Sequence, residues 1–481
     1  MSVNGSPKKT VSYAYDKLDR LSAVSEGTQV LASYDYDLNG NRSALTYSNG
    51  MRADYSYNLA NLVTSLTNKK GTQTLSSYAY TYNLDGNQKT KSDHTGRITS
   101  YLYDDMGRLK GEAETGAVDA ITKAYTFDAA SNRSAMTVSG AENYSVSYDY
   151  DLNNRLRKSI KAEGDKQTIT ESFYDNNGNQ ISVGTSIIEP ETGSPASISL
   201  ETSSKEVWLY DYDGFNRMTA ASNDGNFMSY TYRPDGLRSS KEVNGEKSIE
   251  VWEGQMLALE LDESGGVIDK YIRGTNLIRS DLNGFYIYNA HGGVVRLGNS
   301  AGAVTKNYLY DAFGNEKNID EADANPFRYS GEYLDLETNT YYLRARYYDP
   351  SVGRFGQEDP ARDGTNWYVY GNNNPVSYFD PTGLRAEGEI IKRGKGEAVD
   401  ILWIQMVLSA AGYTSDDGNK LNIDGSYGGK TRSAVIKYQK DFNLSADGTV
   451  GDETWNSLLE LFSKQDNVRP DSGLINMPDE D

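Results

Sequence analysis

The 481-residue sequence contains no cysteine. That excludes a disulfide framework, a thiolate metal site and a cysteine nucleophile, while leaving the compartment open, because exported bacterial proteins often carry none. Histidine is nearly as scarce. His94 and His291 are the only two and stand far apart in sequence, which argues against a histidine-based zinc site or a Ser-His-Asp triad. No segment approaches the roughly 18 apolar residues of a membrane span, and the opening MSVNGSPKKTVSYAY lacks the apolar core of a signal peptide. The chain is therefore expected to be either short in nature or a fragment of a longer parent. Basic residues are in deficit, Lys+Arg 48 against Asp+Glu 68, for a net charge of −20. Such a balance repels phosphate backbones and anionic lipid surfaces, and no local basic patch offsets it, so neither nucleic acid nor membrane is an expected partner.

What is abundant is tyrosine: Tyr 38 against Phe 11 and Trp 5. Tyrosine suits half-buried strands, where the ring packs and the hydroxyl reaches a partner. A hydrophobic share of 37% fits wide sheets with one wet face better than a thick globular core. The tyrosines come in pairs two apart: Tyr13/Tyr15, Tyr34/Tyr36, Tyr55/Tyr57, Tyr80/Tyr82, Tyr101/Tyr103, Tyr148/Tyr150, Tyr210/Tyr212, Tyr230/Tyr232, Tyr286/Tyr288 and Tyr308/Tyr310, with Tyr125/Phe127 filling one gap.

Residues two apart share one face of a strand, so each pair sets two rings side by side, able to stack across neighbouring strands. Polar turns follow several pairs, as in Asp37-Leu38-Asn39-Gly40-Asn41-Arg42 and Asp213-Gly214-Phe215-Asn216-Arg217. Aspartate opens such a turn through side-chain-to-backbone bonds, and Gly or Asn supplies the positive φ of a tight hairpin or bulge. The spacing predicts one hairpin per repeat.

The repeat ends in Arg328–Leu384, which combines a dense aromatic block with paired carboxylates and the closing Asp380-Pro381-Thr382-Gly383-Leu384. On these residues the region from Tyr13 to Leu384 resembles the YD repeats of the RHS family, which includes bacterial rearrangement-hotspot proteins, C components of insecticidal Tc toxins and animal teneurins. The resemblance implies a mainly β fold: a spiral of antiparallel hairpins forming a full or partial shell, one end plugged or capped by an RHS-associated core ending in DPxGL. It further implies intramolecular aspartic-type proteolysis after that leucine, at Leu384–Arg385. The carboxylates carried over by motif are Asp359 and Asp380, with Arg346 assisting. Gly356-Gln357-Glu358 stands where the family carries small or apolar residues, and Glu358 adds a third acid.

Two carboxylates held a few ångströms apart do not both ionise, so one serves as general acid and the other as base. Bland readings stand beside this one. Asp359-Pro360 and Asp380-Pro381 also suit turn starters, and Arg344 or Arg354 could take the role given to Arg346.

Beyond a charged linker, apolar residues recur at helical spacing in Ala398–Gly412, a second helix is predicted over Lys430–Phe442, and a third over Thr454–Leu461. Two Asp-Gly loops, at Asp424-Gly425 and Asp447-Gly448, lead into the later helices. With Gln405, Gly412-Tyr413, Ala434-Val435, Tyr438-Gln439 and Thr454-Trp455, this module resembles the peptidoglycan-binding-like domain, type 1. Its candidate glycan contacts are Tyr427, Tyr438, Gln439 and Trp455, of which Trp455 and the glutamine serve equally well as packing elements.

The expected organisation is a start segment 1–12, a repeat spiral 13–327, a core 328–384, a linker 385–396, a helical domain 397–463 and a tail 464–481. No cofactor or metal is implied. The function expected is a bacterial cell-surface or secreted β-shell scaffold with a wall-binding module. The alternative is a self-cleaving delivery shell of polymorphic-toxin type, releasing a fused or encapsulated polypeptide.

Overall fold

The computed structural model describes residues 10–190, 200–362, 364–384, 398–415, 418–421, 427–451, 453–455, 457–458 and 461. The expected linker 385–396, the first Asp-Gly loop, the tail 464–481 and the side chains of Leu402 and Trp403 lie outside them. The chain divides into two compact units, Met1–Ala386 and Glu387–Asp481.

The first unit is built from a local rule applied over and over. In the turn after Tyr36, the Asp37 N–H bonds the Asn41 carbonyl (2.8 Å), and the Gly40 N–H donates to the Asp37 carbonyl (3.2 Å). The Asp37 carboxylate accepts the N–H groups of Asn39 and Asn41, each at 2.9 Å. Closing this loop drives its fourth residue to positive φ, +87° at Gly40 and +63° at Asn154, which is why Gly or Asn stands there. The extra turn residue shifts the strand register by one at the second tyrosine, between Asp35 and Tyr36.

That shift places the second tyrosine's hydroxyl against the preceding repeat. Tyr36 donates to the Leu21 carbonyl (2.8 Å), Tyr57 to that of Arg42 (2.8 Å), Tyr82 to that of Val63 (2.7 Å) and Tyr103 to that of Gln88 (2.8 Å). The residue after the turn adds a cation over a ring of the next repeat: Arg20 lies 4.4 Å from the Tyr36 centroid and Arg42 4.6 Å from that of Tyr55.

Stacked in this way, 27 strands from Val11–Tyr15 to Val304–Asn307 form one sheet in which each strand pairs antiparallel with its successor. The sheet coils until its later strands cover its earlier ones. Tyr47 Oη donates to the Tyr286 carbonyl (2.8 Å) and Asn68 Nδ2 to that of Tyr288 (3.0 Å). Val24, Leu31, Leu45 and Leu66 thereby share a core with Ile278, Phe285, Ile287 and Val295. Wide sheets with one wet face, expected from composition, become a spiral whose inner face is covered.

Residues 308–384 fill the inside of that spiral. Four short strands, Tyr333–Asp335, Thr340–Tyr342, Tyr347–Asp349 and Arg354–Phe355, make a second sheet amid buried Tyr329, Tyr341, Tyr348, Phe355 and Tyr370. Residues 365–374 then thread along the row of aspartate turns. Asn154 donates to the Thr365 carbonyl (3.1 Å), Asn366 to Ala130 (2.8 Å), Asn373 to Ser131 (2.9 Å) and Asn374 to Gly107 (3.0 Å).

Plug and wall also meet through a buried ionic cluster. Arg238, fully buried, bonds Glu250 (2.7 Å) on the wall and Asp335 (2.6 Å) on the plug, and Lys241 reaches Asp335 at 3.0 Å. Burial by itself would raise the Asp335 carboxyl, but Arg238 and Lys241 overcome it and hold it below the usual range. Burial pushes Glu250 up to about 7 against the pull of Arg238.

In the second unit, helix α1 (Ala398–Ala410) and helix α2 (Gly429–Asp441) pack Ile404, Val407, Leu408, Ala434, Val435 and Tyr438 against Leu458. Residues 453–455, 457–458 and 461 are helical. The first helix stops two residues short of the predicted Gly412 because that glycine, at φ +85°, turns the chain so that the Tyr413 N–H caps the Leu408 carbonyl (2.8 Å).

Two outcomes follow from these contacts. Burial pushes the phenols of Tyr57, Tyr82 and Tyr150 up to about 12 from 10.0. Their folded values exceed the unfolded one, so their contribution is complete below pH 10 and is lost as pH rises through about 12. Cooperative alkaline unfolding in that window is expected, with phenolate absorbance and loss of β circular dichroism moving together. Asp335→Asn, which leaves two buried cations short of a carboxylate, should cost about 3–5 kcal/mol in urea unfolding.

Candidate active site

The motif Asp380–Leu384 is a turn wound around one carboxylate. Asp380 Oδ1 accepts the N–H groups of Thr382 (3.2 Å), Gly383 (2.8 Å) and Leu384 (3.2 Å), together with the Thr382 hydroxyl (3.2 Å). Asp380 is therefore the turn starter that the bland reading describes, and it is 2% exposed.

A short neighbouring stretch grips the outer side of this turn. The Pro381 carbonyl accepts Arg344 Nη1 (2.6 Å), the Thr382 carbonyl accepts the Ala345 N–H (3.1 Å), and the Gly383 carbonyl accepts Arg346 Nε. Three consecutive carbonyls before the Leu384–Arg385 bond are thus held by three consecutive residues. The approach leaves no room for a side chain at Gly383. A Cβ there would sit 2.6 Å from the Leu343 carbonyl oxygen and 2.8 Å from the Arg346 nitrogen, and the backbone has φ +71°. The glycine of the motif is required by both.

Arg346 joins the two candidate carboxylates. Its Nη2 lies 3.6 Å from Asp380 Oδ2 and 3.9 Å from Asp359 Oδ1, while Nη1 donates to the Trp367 carbonyl (2.9 Å). The guanidinium is seated over the Phe355 ring at 3.6 Å. Asp359 is 5% exposed, its Oδ1 also accepting the Ala361 N–H (2.9 Å). Asp359, Asp380 and Arg346, predicted from separate stretches of sequence, converge in one buried place. Arg385 lies outside the described residues, so the bond itself is seen only from the Leu384 side.

The other candidates separate cleanly. Arg354 serves the wall, with Nη1 to Asn132 Oδ1 (3.0 Å) and Nη2 to the Asn154 carbonyl (2.6 Å). Glu358 is turned toward the wall at Gly178, and burial raises its carboxyl against the pull of Arg362 and Arg155. Sequence reasoning did not single out Tyr370. Its ring stacks on Tyr348 with centroids 3.9 Å apart, and its phenol is raised by burial and by the nearby Asp380 charge. No spacing rule in the sequence marks it, since its stacking partner Tyr348 lies on the separate strand Tyr347–Asp349.

In the helical unit three of the four candidate glycan contacts are inside. Tyr427 Oη donates to the Gly448 carbonyl (3.2 Å), and Tyr438, buried, is hydrogen-bonded hydroxyl to hydroxyl with Ser457 (2.6 Å). Gln439 Nε2 donates to the Thr449 carbonyl (2.8 Å) while its Oε1 accepts the Gly448 N–H (2.9 Å). Gln439 thus holds the second Asp-Gly loop to α2, and Tyr427 holds it from just ahead of that helix. Trp455 is half-buried, packed at the margin of the core. Among the described residues, no cluster of His, Asp or Glu suited to a metal ion occurs.

Comparison with known proteins adds lineage to this geometry. Residues 397–458 match a family described as a putative peptidoglycan binding domain. The tRNA3(Ser)-specific nuclease WapA of Bacillus spizizenii is 31% identical over 372 residues, covering 64% of this chain and 15% of that protein. The toxin protein Tse5 of Pseudomonas aeruginosa is 46% identical over 63 residues, 13% of this chain and 5% of its own. The chain thus spans a small part of the relatives it matches. In fold it is similar to the Photorhabdus luminescens Tc holotoxin pore, with a TM-score of 0.53 at 20% identity over 79% of this chain and 20% of that one. The repeat region is thus similar to WapA toxins in sequence and to the Tc holotoxin structure in fold, and residues 397–458 match the putative peptidoglycan binding domain.

Proposed function

We propose that the chain is a cell-surface or secreted delivery shell that cuts itself after Leu384 and so frees the unit that follows. The carrying observation is the meeting of Asp359 and Asp380 at a single Arg346 nitrogen, 3.9 and 3.6 Å away, beside a backbone already clamped at its last three carbonyls. One carboxylate, ionised, takes a proton from water as the oxygen adds to the Leu384 carbonyl carbon. The other, protonated, gives its proton to the Arg385 nitrogen as the C–N bond breaks. Arg346 stabilises the ionised member in a site closed to bulk solvent. Because the chain supplies its own substrate, no binding step opposes the reaction.

The putative peptidoglycan binding domain supports a wall-directed role for the freed or tethered C-terminal unit. Of the four candidate contacts, half-buried Trp455 keeps surface for a sugar ring and is the one we assign to the glycan, while Tyr427 and Gln439 bond the second Asp-Gly loop and Tyr438 bonds Ser457.

Intact-mass spectrometry on freshly synthesised full-length chain tests the cut. A pair of products meeting at Leu384–Arg385 is expected, with Asp359→Asn and Asp380→Asn each slowing it by about a hundredfold or more. Wild-type chain that stays whole for days sinks the protease reading and leaves the scaffold. Wall binding is checked separately by co-sedimentation of the full chain with purified insoluble peptidoglycan. Retention is expected and should weaken in Trp455→Ala, and a chain that stays wholly in the supernatant rules the wall out.

A further inference from the structure

Arg344 is buried to about the same degree as its partner Glu332, with side-chain exposures of 12% and 13%, and three bodies of the fold meet on it. Its Nη1 holds the Pro381 carbonyl at 2.6 Å. The same nitrogen pairs with Glu332 of the plug, and its Nε donates to the Gln255 carbonyl (3.2 Å) in a hairpin loop of the wall. The residue adopts φ +63°, a left-handed conformation unusual for a side chain of this size. That backbone bend sends the following Ala345 N–H to the Thr382 carbonyl (3.1 Å) and Arg346 Nε to that of Gly383.

We propose that Arg344 is the positioning residue of the self-cleavage site, tying the segment before the scissile bond to plug and wall at once, so that cutting awaits closure of the Gln255 hairpin over the plug. This rests on the protease reading above and adds to it a structural condition. Arg344 touches none of the reacting atoms. It acts by fixing the carbonyl three residues ahead of the cut, and misplacement of a reacting bond by about 1 Å is enough to cost a hundredfold in rate. Without the Gln255 carbonyl on its Nε, the guanidinium would keep only Glu332 and Pro381, and the clamp would lose its tie to the wall. A shell still folding would therefore keep its C-terminal unit attached.

Two substitutions separate the guanidinium from the backbone. Arg344→Gly tolerates φ +63° without steric cost and removes the clamp, so any loss of cutting cannot come from backbone strain. Arg344→Lys keeps a cationic donor within reach of the Pro381 carbonyl. In a cell-free synthesis time course of the full chain, Arg344→Gly is expected to slow the appearance of the two products about ten- to hundredfold, the effect of losing one charge-assisted hydrogen bond. Arg344→Lys should recover most of that rate. In uncut Asp380→Asn protein, hydrogen exchange across residues 378–384 should speed up on adding Arg344→Gly while exchange in the strands of the first repeats stays unchanged. Cutting by Arg344→Gly at the wild-type rate overturns the proposal and spares the protease. So does a slowed variant whose exchange speeds up equally in those distant strands, or one whose 378–384 exchange is unchanged. A wild-type chain that never cuts overturns both.

Discussion

Turn after turn of the spiral depends on one bond, from the second tyrosine hydroxyl of a repeat to a backbone carbonyl of the repeat before, with Phe127 the place where a ring lacks the hydroxyl. A strand pair in water is marginal, and a sheet of 27 strands built from such pairs needs something that makes each hairpin specify the place of the next. The hydroxyl does this with directional geometry. It reaches about fifteen residues back along the chain, as from Tyr57 to Arg42, and leaves the carbonyl satisfied where the register slips. The aspartate turn creates that slip. Carboxylate, glycine or asparagine, arginine and tyrosine are thus parts of one device, which explains the excess of tyrosine over phenylalanine, for a phenyl ring would pack and fail to tie.

The interior is organised differently. Between plug and wall the contacts are long-range and charged: Asp335 with Arg238 and Lys241, Asp311 with Lys123, Lys317 with Glu114. Buried ion pairs contribute less stability than apolar packing of equal volume, but a misplaced partner is heavily penalised. They are suited to selecting one seating of the plug among many aromatic alternatives, and that seating is what delivers Asp359 and Asp380 to the same arginine.

The repeat and its turns were legible because their causes are local: Asp37, Gly40 and Tyr36 lie within five residues of one another. The motif Asp380–Leu384 was legible for the same reason, its N–H groups all turning on one carboxylate. Glu358 illustrates the converse. Adjacent to Asp359 in sequence, it reads as a third acid of the site, yet the backbone after the strand Arg354–Phe355 sends it to the wall beside Gly178. Gln439 reads equally as a ligand contact or as core. Only the packing of α2 against the second Asp-Gly loop buries it.

The order of residues was sufficient for the hairpin, its period and the glycine at the turn, since each follows from backbone geometry over a short span, whereas Asp359, Asp380 and Arg346 came from the family resemblance, with Arg344 and Arg354 left open beside Arg346. Closure of the spiral, the path of residues 365–374 along the turn row and the three-residue grip on Pro381–Gly383 were settled by tertiary contact. Such contacts join residues up to 290 positions apart, as Ser377 does with Asn87. At that separation no local pattern carries the information. Coiling of the sheet, set by accumulated strand twist and by what the plug fills, decides which side chains meet.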